Sequence, residues 1–419
     1  MYITPFNISD VADVLSITRL EDKEDEFDVV CPFCGDRRGK MNFCIYKDGE
    51  LRNTYHCYNC GQGGNMLTLY AELKGIQGED CYKKAYHAIK RSLNLTDQKV
   101  SEQRKILKRT QQKKKKQSVM PVDFKNRDIV YRKMIELLHL SFSHKKALQE
   151  RGLDERMISQ MEQKGYKSTD YRESETIARR LIKQGLNLEG VPGFFVNQRG
   201  DWEAAFYRSN AGFLCPVWSE NHLLIAFQIR LDYPYKKRKY VWFTSTGKNK
   251  GCSSGSPVGI SGSSNVRRIC LTEGILKGEI AYQFTGETYL GNPGVGNHME
   301  LGKMLQRLKD RGLEEVYEFY DMDKNMDLIC YGDYDKTCQF CALKEDKNNV
   351  SECPKKREKR DCIRKGCNRL YQICEELSLY CVRKVWDQSS DGVWLENFKG
   401  VDDLEANIYQ NKYISIEIA

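Results

Sequence analysis

Apolar residues recur along this chain in different rhythms, and each rhythm marks a different kind of element. Met41 to Tyr46, Lys47-Asp48-Gly49 and Leu51 to Tyr55 read as strand, turn, strand. From Asn65 to Leu93 the apolar positions take helical spacing, with Asn65 as a candidate N-cap after Gly61-Gln-Gly-Gly. Helical spacing returns from Asp123 to about Gly165, through Ile135, Leu138, Leu148, Leu153, Met157, Ile158 and Met161. Asp201 to Gly259 instead alternates apolar and polar residues between Gly, Asn and Asp punctuation, which predicts antiparallel strands. The longest apolar run, His222 to Ile229, suits one buried strand and falls far short of the ~20 apolar residues of a membrane span. Arg267 to Asp403 then alternates strand and helix, the order of a parallel α/β unit.

These rhythms predict a multidomain chain with α+β and α/β parts. Residues 1–96 form a first, cysteine-bearing unit and residues 97–121 a basic linker containing Lys113, Lys114, Lys115 and Lys116. The linker has almost nothing to bury, so it is either a plain tether or a tether that also touches phosphates. Residues 122–266 combine a helical module with basic strands. Residues 267–419 form the α/β unit, with a Cys-rich insertion at about 326–374. A length of 419 residues is enough for several cores. The net charge of +9 is concentrated in particular segments and suits a polyanionic partner. The first residues, with Asp10, Glu21, Asp22 and Glu24, lack the basic-then-apolar layout of a signal peptide, which places the chain in the cytoplasm. In a reducing compartment the 17 cysteines read as metal ligands or buried thiols rather than disulfides.

Cys31 and Cys34 lie in Cys-Pro-Phe-Cys-Gly, and Cys57 and Cys60 in Cys-Tyr-Asn-Cys-Gly, so two knuckles of equal spacing face each other across the predicted hairpin. Four thiolates suit tetrahedral zinc in a closed, structural site. Cys44 and His56 read as packed hairpin residues. Beside the metal, Phe33, Arg37, Arg38, Arg52, Tyr55 and Tyr58 offer stacking faces and phosphate partners for a single strand, or serve as ordinary hairpin residues. This segment resembles the zinc-binding domain of DnaG-type primases, in which Cys-Pro-Phe, a second knuckle and a Gly-x-Gly-Gly stand in the same order. Many members carry His at the position of Cys34, and a fourth thiolate keeps the ligand number.

Arg268-Ile-Cys-Leu-Thr-Glu-Gly274 reads as a buried strand ending in a Glu-Gly turn, and Val316 to Tyr320 as a second strand ending in Asp321-Met-Asp323. Carboxylates two apart project to one side, so with Glu273 they have the means to gather magnesium or manganese. After a strand from Ser378 to Val385 the chain reaches Lys399-Gly-Val-Asp402-Asp403, a third acidic turn. The succession resembles the TOPRIM domain shared by primases, type IA and II topoisomerases and some nucleases. Gly291-Asn-Pro-Gly-Val-Gly296 is either a phosphate-approaching loop or a simple turn. Arg230, Lys236, Lys237, Arg238, Lys239, Tyr240 and Trp242, with Lys277, read as a phosphate and base platform, the lysine run being otherwise an exposed hairpin loop.

Taken over nearly the whole chain, these segments resemble a compact DnaG-type primase: a zinc ribbon, a basic mixed α/β subdomain and a TOPRIM α/β domain. The resemblance implies synthesis of short RNA primers on single-stranded DNA from nucleoside triphosphates. Glu273, Asp321 and Asp323 would be metal ligands, Asp402 and Asp403 a further acidic pair, and no Gly-Lys-Ser/Thr motor motif is present, so a helicase acts in trans. A TOPRIM nuclease or topoisomerase-like enzyme and a non-catalytic single-strand binder are the competing readings. The resemblance does not account for the Cys-rich insertion. There, Cys338 and Cys341 with Cys353 and Cys362 are a candidate second zinc set, an iron–sulfur cluster being the alternative on ligand type and a basic flap with reactive thiols the bland reading.

Overall fold

The computed structural model describes residues 6–22, 25–45, 53–78, 80–93, 95, 119–235, 238–330, 334–335 and 352–417. The chain divides into two compact units, Met1–Lys116 and Gln117–Ala419, so the portions expected as 122–266 and 267–419 share one unit. Lys113 to Lys116, and most of the expected linker, lie outside the described residues.

The first unit opens with helix α1 (Ile8–Val14), whose start is fixed by a reciprocal cap. Asn7 Oδ1 accepts from the Ser9 and Asp10 amides at 2.7 and 3.1 Å, and Asp10 Oδ2 accepts from the Asn7 amide at 2.7 Å. Strands β1 (Arg19–Asp22), β2 (Glu26–Val29), β3 (Met41–Cys44), β4 (Thr54–Cys57) and β5 (Gly63–Asn65) then meander as one antiparallel sheet in chain order. The predicted hairpin is β3 and β4, with Met41 opposite Cys57 and Cys44 opposite Thr54. Its predicted turn lies outside the described residues. Asn65 caps helix α2 (Met66–Leu73), its Oδ1 accepting from the Leu67 and Thr68 amides at 2.9 and 3.1 Å, and α3 (Cys81–Ser92) follows. Phe27, Val29, Met41, Phe43, Tyr55, Leu69 and Ile89 form the core.

The second unit begins with helices α4 (Phe124–Glu136), α5 (Phe142–Gln149) and α6 (Glu155–Lys164), then β6 (Lys167–Ser168), α7 (Ser174–Lys183) and the hairpin β7 (Phe194–Val196) and β8 (Trp202–Ala204). Strands β9 (Gly212–Trp218), β10 (Leu224–Tyr235) and β11 (Arg238–Trp242) join β6 in an antiparallel sheet of order β11-β10-β9-β6. Both faces of this sheet are covered, which is why β9 is apolar at nearly every position. Leu214, Phe227 and Ile229 pack with α4 and α7, whereas Phe213, Cys215 and Val217 pack with residues of α6 and with Ile275, Leu276 and Ile280 further along the chain.

The α/β part comprises β12 (Gly259–Ser261), β13 (Arg268–Glu273), α8 (Ile275–Thr285), β14 (Tyr289–Asn292), α9 (His298–Lys309), β15 (Glu315–Glu318), α10 (Pro354–Glu376), β16 (Tyr380–Arg383) and α11 (Val401–Glu417). The sheet order is β12-β14-β13-β15-β16, with β12 antiparallel and the other strands parallel. From β13 the chain steps to one side for β14 and to the other for β15. The crevice at the carboxyl ends of β13 and β15 is therefore the topological switch point, where α/β sheets place ligands.

One expectation needs correction. The stretch read as an insertion at about 326–374 ends in α10, which is the crossover joining parallel β15 to β16. Ile363, Cys367, Leu370, Ile373 and Cys374 form its buried stripe, at helical spacing. Two of the five are cysteines, here serving as small hydrophobes. The Lys- and Arg-rich exposed face masked that stripe in the sequence.

Beneath the Asp321 turn, Lys324 and Glu318 pair at 2.8 Å with both side chains fully buried. The ammonium also donates to the Lys384 carbonyl at 2.7 Å, and Glu318 accepts from the Tyr371 hydroxyl at 2.8 Å and the Tyr320 amide at 2.6 Å. Removing one partner strands the other charge in the interior. Glu318→Ala is expected to lower the unfolding free energy by about 3–5 kcal/mol, read as a shifted urea midpoint.

Candidate functional site

The first site is built by β2, β3 and β4. Both knuckles close the same way: the Gly35 amide donates to the Cys31 carbonyl and the Gly61 amide to the Cys57 carbonyl, each at 2.9 Å. The two glycines sit at φ +71° and +76°, a left-handed conformation that a side chain would strain. The closures turn Cys31, Cys34, Cys57 and Cys60 toward one point, with all four sulfurs within 4.8 Å of one another. The Cys31–Cys60 and Cys34–Cys57 separations are both 3.9 Å. Four sulfurs at the zinc–thiolate distance of about 2.3 Å form a tetrahedron with edges of about 3.8 Å, so the set fits zinc without rearrangement. Asn59 donates to Cys34 Sγ at 3.4 Å, a contact that steadies a thiolate ligand. Cys44 donates instead to Asn42, and His56 stacks edge-on against Tyr58, so neither joins the ligand set.

The residues expected to greet a single strand separate on inspection. Tyr58 is 66% exposed and Arg37 is exposed. Tyr55 is buried and stacks on half-buried Phe33, because it faces the core from the second strand of the hairpin. Arg38 is drawn onto Asp36 at 2.6 Å. Arg52 lies outside the described residues.

The second site lies at the switch point. Glu273 ends β13, and Gly274 turns the chain at φ +101° into α8. A Cβ on neighbouring Gly291 would come within 2.7 Å of Ile275 Cα, so only glycine lets β14 approach this turn. Asp321 and Asp323 lie in the turn just after β15, which is tied to the third acidic segment by the Met322 amide donating to the Lys399 carbonyl at 2.9 Å. Asp402 and Asp403 stand in the first turn of α11.

Cations from four separate elements face these acids. Lys277, in the first turn of α8, donates to Asp321. Lys399 reaches Asp323 at 2.5 Å and Asp321 at 3.8 Å, and Lys359 of α10 reaches Asp323 at 3.2 Å. Arg151, between α5 and α6, pairs with Asp402. Burial lifts the Glu273 carboxyl above its ordinary range, and the charge of Asp321 lifts it further against the pull of the lysines. Burial also raises Asp402, opposed by Arg151 and Lys277. For Asp323 the raising effect of burial is overcome by Lys399 and Lys359, and its pKa falls below the usual value.

Hard carboxylate oxygens of this kind fit magnesium or manganese. Asp402 Oδ1 is buried without a hydrogen-bond partner, an acceptor still free for a cation. Among the described residues, however, only the four cysteines bring all their ligand atoms within 4.8 Å of each other. The carboxylates stand further apart, with ammonium groups against them. Asp403 is exposed, its Oδ2 accepting from the Gly400 amide at 3.2 Å as a helix cap.

The basic strands lie within electrostatic reach of this cluster. Partial desolvation lowers the Lys239 pKa, and the charges of Arg230, Lys399, Lys277 and Arg151 lower it further. Arg230 stacks over Tyr240 at 5.2 Å and keeps a buried Nη1 without a partner. Tyr240 and Trp242 are partly buried and pack against the core. Arg238 is exposed, whereas Lys236 and Lys237 lie outside the described residues. Cys338 and Cys341 lie outside them too; Cys353 is buried at the start of α10 and Cys362 is half-buried along it.

Sequence reasoning missed Arg151, Lys359 and Lys399 as members of the site. Only Lys399 carried a local sign, standing directly before an acidic helix start. The zinc set yields a direct check: the purified chain is expected to hold one equivalent of zinc more than its Cys57→Ser variant, by elemental analysis.

Residues 4–103 match the family model described as the CHC2 zinc finger, a DnaG zinc ribbon. No curated protein matches the chain. Among solved structures, the zinc-binding and RNA polymerase domains of the Aquifex aeolicus primase are similar at 12% identity and a TM-score of 0.45, covering 97% of this chain and 82% of that one. The RNA polymerase domain of Mycobacterium tuberculosis primase DnaG is similar at 15% identity and a TM-score of 0.36, covering 46% and 65%. The same domain in complex with a double-stranded DNA oligomer bearing a 6-nucleotide overhang gives 14% and 0.38, covering 58% and 81%. Residues 4–103, which carry the four converging thiolates, are thus similar to the CHC2 zinc finger of DnaG zinc ribbons.

Proposed function

We propose that the chain is a DNA primase of the DnaG type, joining nucleoside triphosphates into short RNA primers on single-stranded DNA. The observation that carries this reading is the gathering of Glu273, Asp321, Asp323 and Asp402 at the switch point, each beside a cation supplied from elsewhere in the fold. Nucleotidyl transfer requires that combination of charges, because the triphosphate is polyanionic and the attacking hydroxyl must lose a proton.

Glu273, Asp321 and Asp323 are the residues to hold magnesium or manganese, with the unpartnered Asp402 oxygen beside them. A bound divalent ion would supply charge neutralisation at the triphosphate and a lower pKa for the attacking hydroxyl. Lys277, Lys359 and Lys399 carry positive charge to the same place and are positioned to hold phosphate oxygens. Arg151 orients Asp402. Arg230, Lys239 and exposed Arg238 extend the basic field along the antiparallel sheet, the direction in which a template strand would run. The zinc ribbon, with exposed Arg37 and Tyr58, serves as a second template contact. Such an enzyme works in the cytoplasm at the replication fork, with a helicase supplied by another chain. No described helix is long and apolar enough to cross a membrane.

The test is incorporation of labelled ribonucleotides on single-stranded DNA with magnesium, followed by sizing of the products. Asp321→Ala is expected to reduce primer synthesis about a hundredfold or more while single-strand affinity stays within about twofold. Undiminished synthesis by that variant would remove the acidic cluster from the reaction. Shortening of the DNA by the parent chain, without RNA product, would favour the nuclease reading.

A further inference from the structure

Behind the turn that carries Asp321 and Asp323 lies an open cleft of about 310 Å³, lined by Lys324, Arg364, Cys367, Asn368, Tyr371 and Arg383. Half of that lining is cationic and none of it is acidic. Lys324 is neutralised at the floor by Glu318. The two arginines are not neutralised: among the described residues neither has a carboxylate at ion-pair distance. Arg364 Nε donates to the Lys324 carbonyl at 2.7 Å, and Arg383 Nη2 donates to Asn325 Oδ1 at 2.6 Å. Each guanidinium thus spends one donor on a neutral acceptor and keeps the rest of its five for something else. One turn earlier on α10, Arg360 has a buried Nε with no partner. The positive charges of Arg360 and Arg383 also add to desolvation in lowering the Arg364 pKa, with Asp361 opposing. Positive charge is therefore in local excess, opposed in part by Asp361.

We infer that this cleft binds a phosphate-bearing anion between Arg364 and Arg383, at a place separate from the carboxylate cluster. Paired guanidinium forks match the oxygens of a phosphate, and the volume lies at the lower end of small-ligand sites. Lys359, which serves the acidic cluster, stands five residues before Arg364, so the two side chains leave α10 about 140° apart and face different places. The anion would rest against consecutive residues of the turn, Lys324 and Asn325, and would draw both arginines tighter onto it. Occupancy would thereby stiffen the segment that positions Asp323. The phosphate can come from a free anion such as pyrophosphate or a nucleotide, or from a nucleic-acid strand.

The experiment titrates the zinc-loaded full chain, without added divalent cation, with inorganic pyrophosphate by calorimetry and with a short single-stranded DNA by fluorescence anisotropy. A double variant, Arg364→Ala with Arg383→Ala, is expected to weaken pyrophosphate binding at least tenfold. Asn368→Asp alters neither turn contact and places a negative charge in the cleft; at an unchanged unfolding midpoint it is expected to weaken binding at least fivefold. Loss confined to the DNA arm would assign the phosphate to a strand. Equal affinity of parent and both variants in both arms, or no binding of either probe to the parent, would overturn the inference.

Discussion

Negative charge gathered at the carboxyl ends of β13 and β15 is the constraint around which the second unit is organised. A buried carboxylate without a counter-charge costs several kcal/mol, so the fold must bring cations to it or leave it protonated. Here the cations come from α8, from α10, from the segment before α11 and from the turn between α5 and α6. Each contact ties a distant part of the chain to the switch point. The crossover helix, the closing helix and the helical module are thus fastened by the same groups that neutralise the acidic cluster. The buried Lys324–Glu318 pair extends this arrangement one layer down, holding the acidic turn against β15 and α10.

The first unit solves a different problem. A small domain cannot bury much surface, and four thiolates at tetrahedral spacing let metal affinity become folding free energy, roughly 10 kcal/mol or more. Its surface then need not be apolar, and Arg37 and Tyr58 remain outside. Metal holds one unit by soft ligands in a closed shell. In the other, buried hard oxygens are held against lysine and arginine side chains instead.

Much of this was legible in the sequence wherever the signal is local. The knuckles repeat a five-residue pattern, so their convergence follows from spacing and two glycines. The strand ends at Glu273 and Asp321 stand out because an apolar run stops at an acid, and Asn65 announces its helix by the cap it forms. What was not legible depends on partners far away. Arg151 and Asp402 are 251 residues apart, Lys399 and Asp323 76, and no local pattern foretells either pairing. The crossover helix α10 was hidden for another reason: two of the five apolar residues in its buried stripe are cysteines, which in a basic segment look like ligands rather than core. Whether Tyr55 offers a stacking face or packs in the hairpin was not legible either, because a strand residue's face depends on register, which the sequence does not settle.

The proposed function requires Glu273, Asp321 and Asp323 to hold a divalent ion together, in competition with the lysines now against them. Iron-directed backbone cleavage measures this most directly: ferrous ion replaces magnesium, peroxide and ascorbate are added, and the cut sites are read by mass spectrometry. The account predicts cuts clustered near residues 273, 321–323 and 399–402, suppressed by excess magnesium. Cuts that avoid these three segments, or that persist unchanged in magnesium, would contradict it.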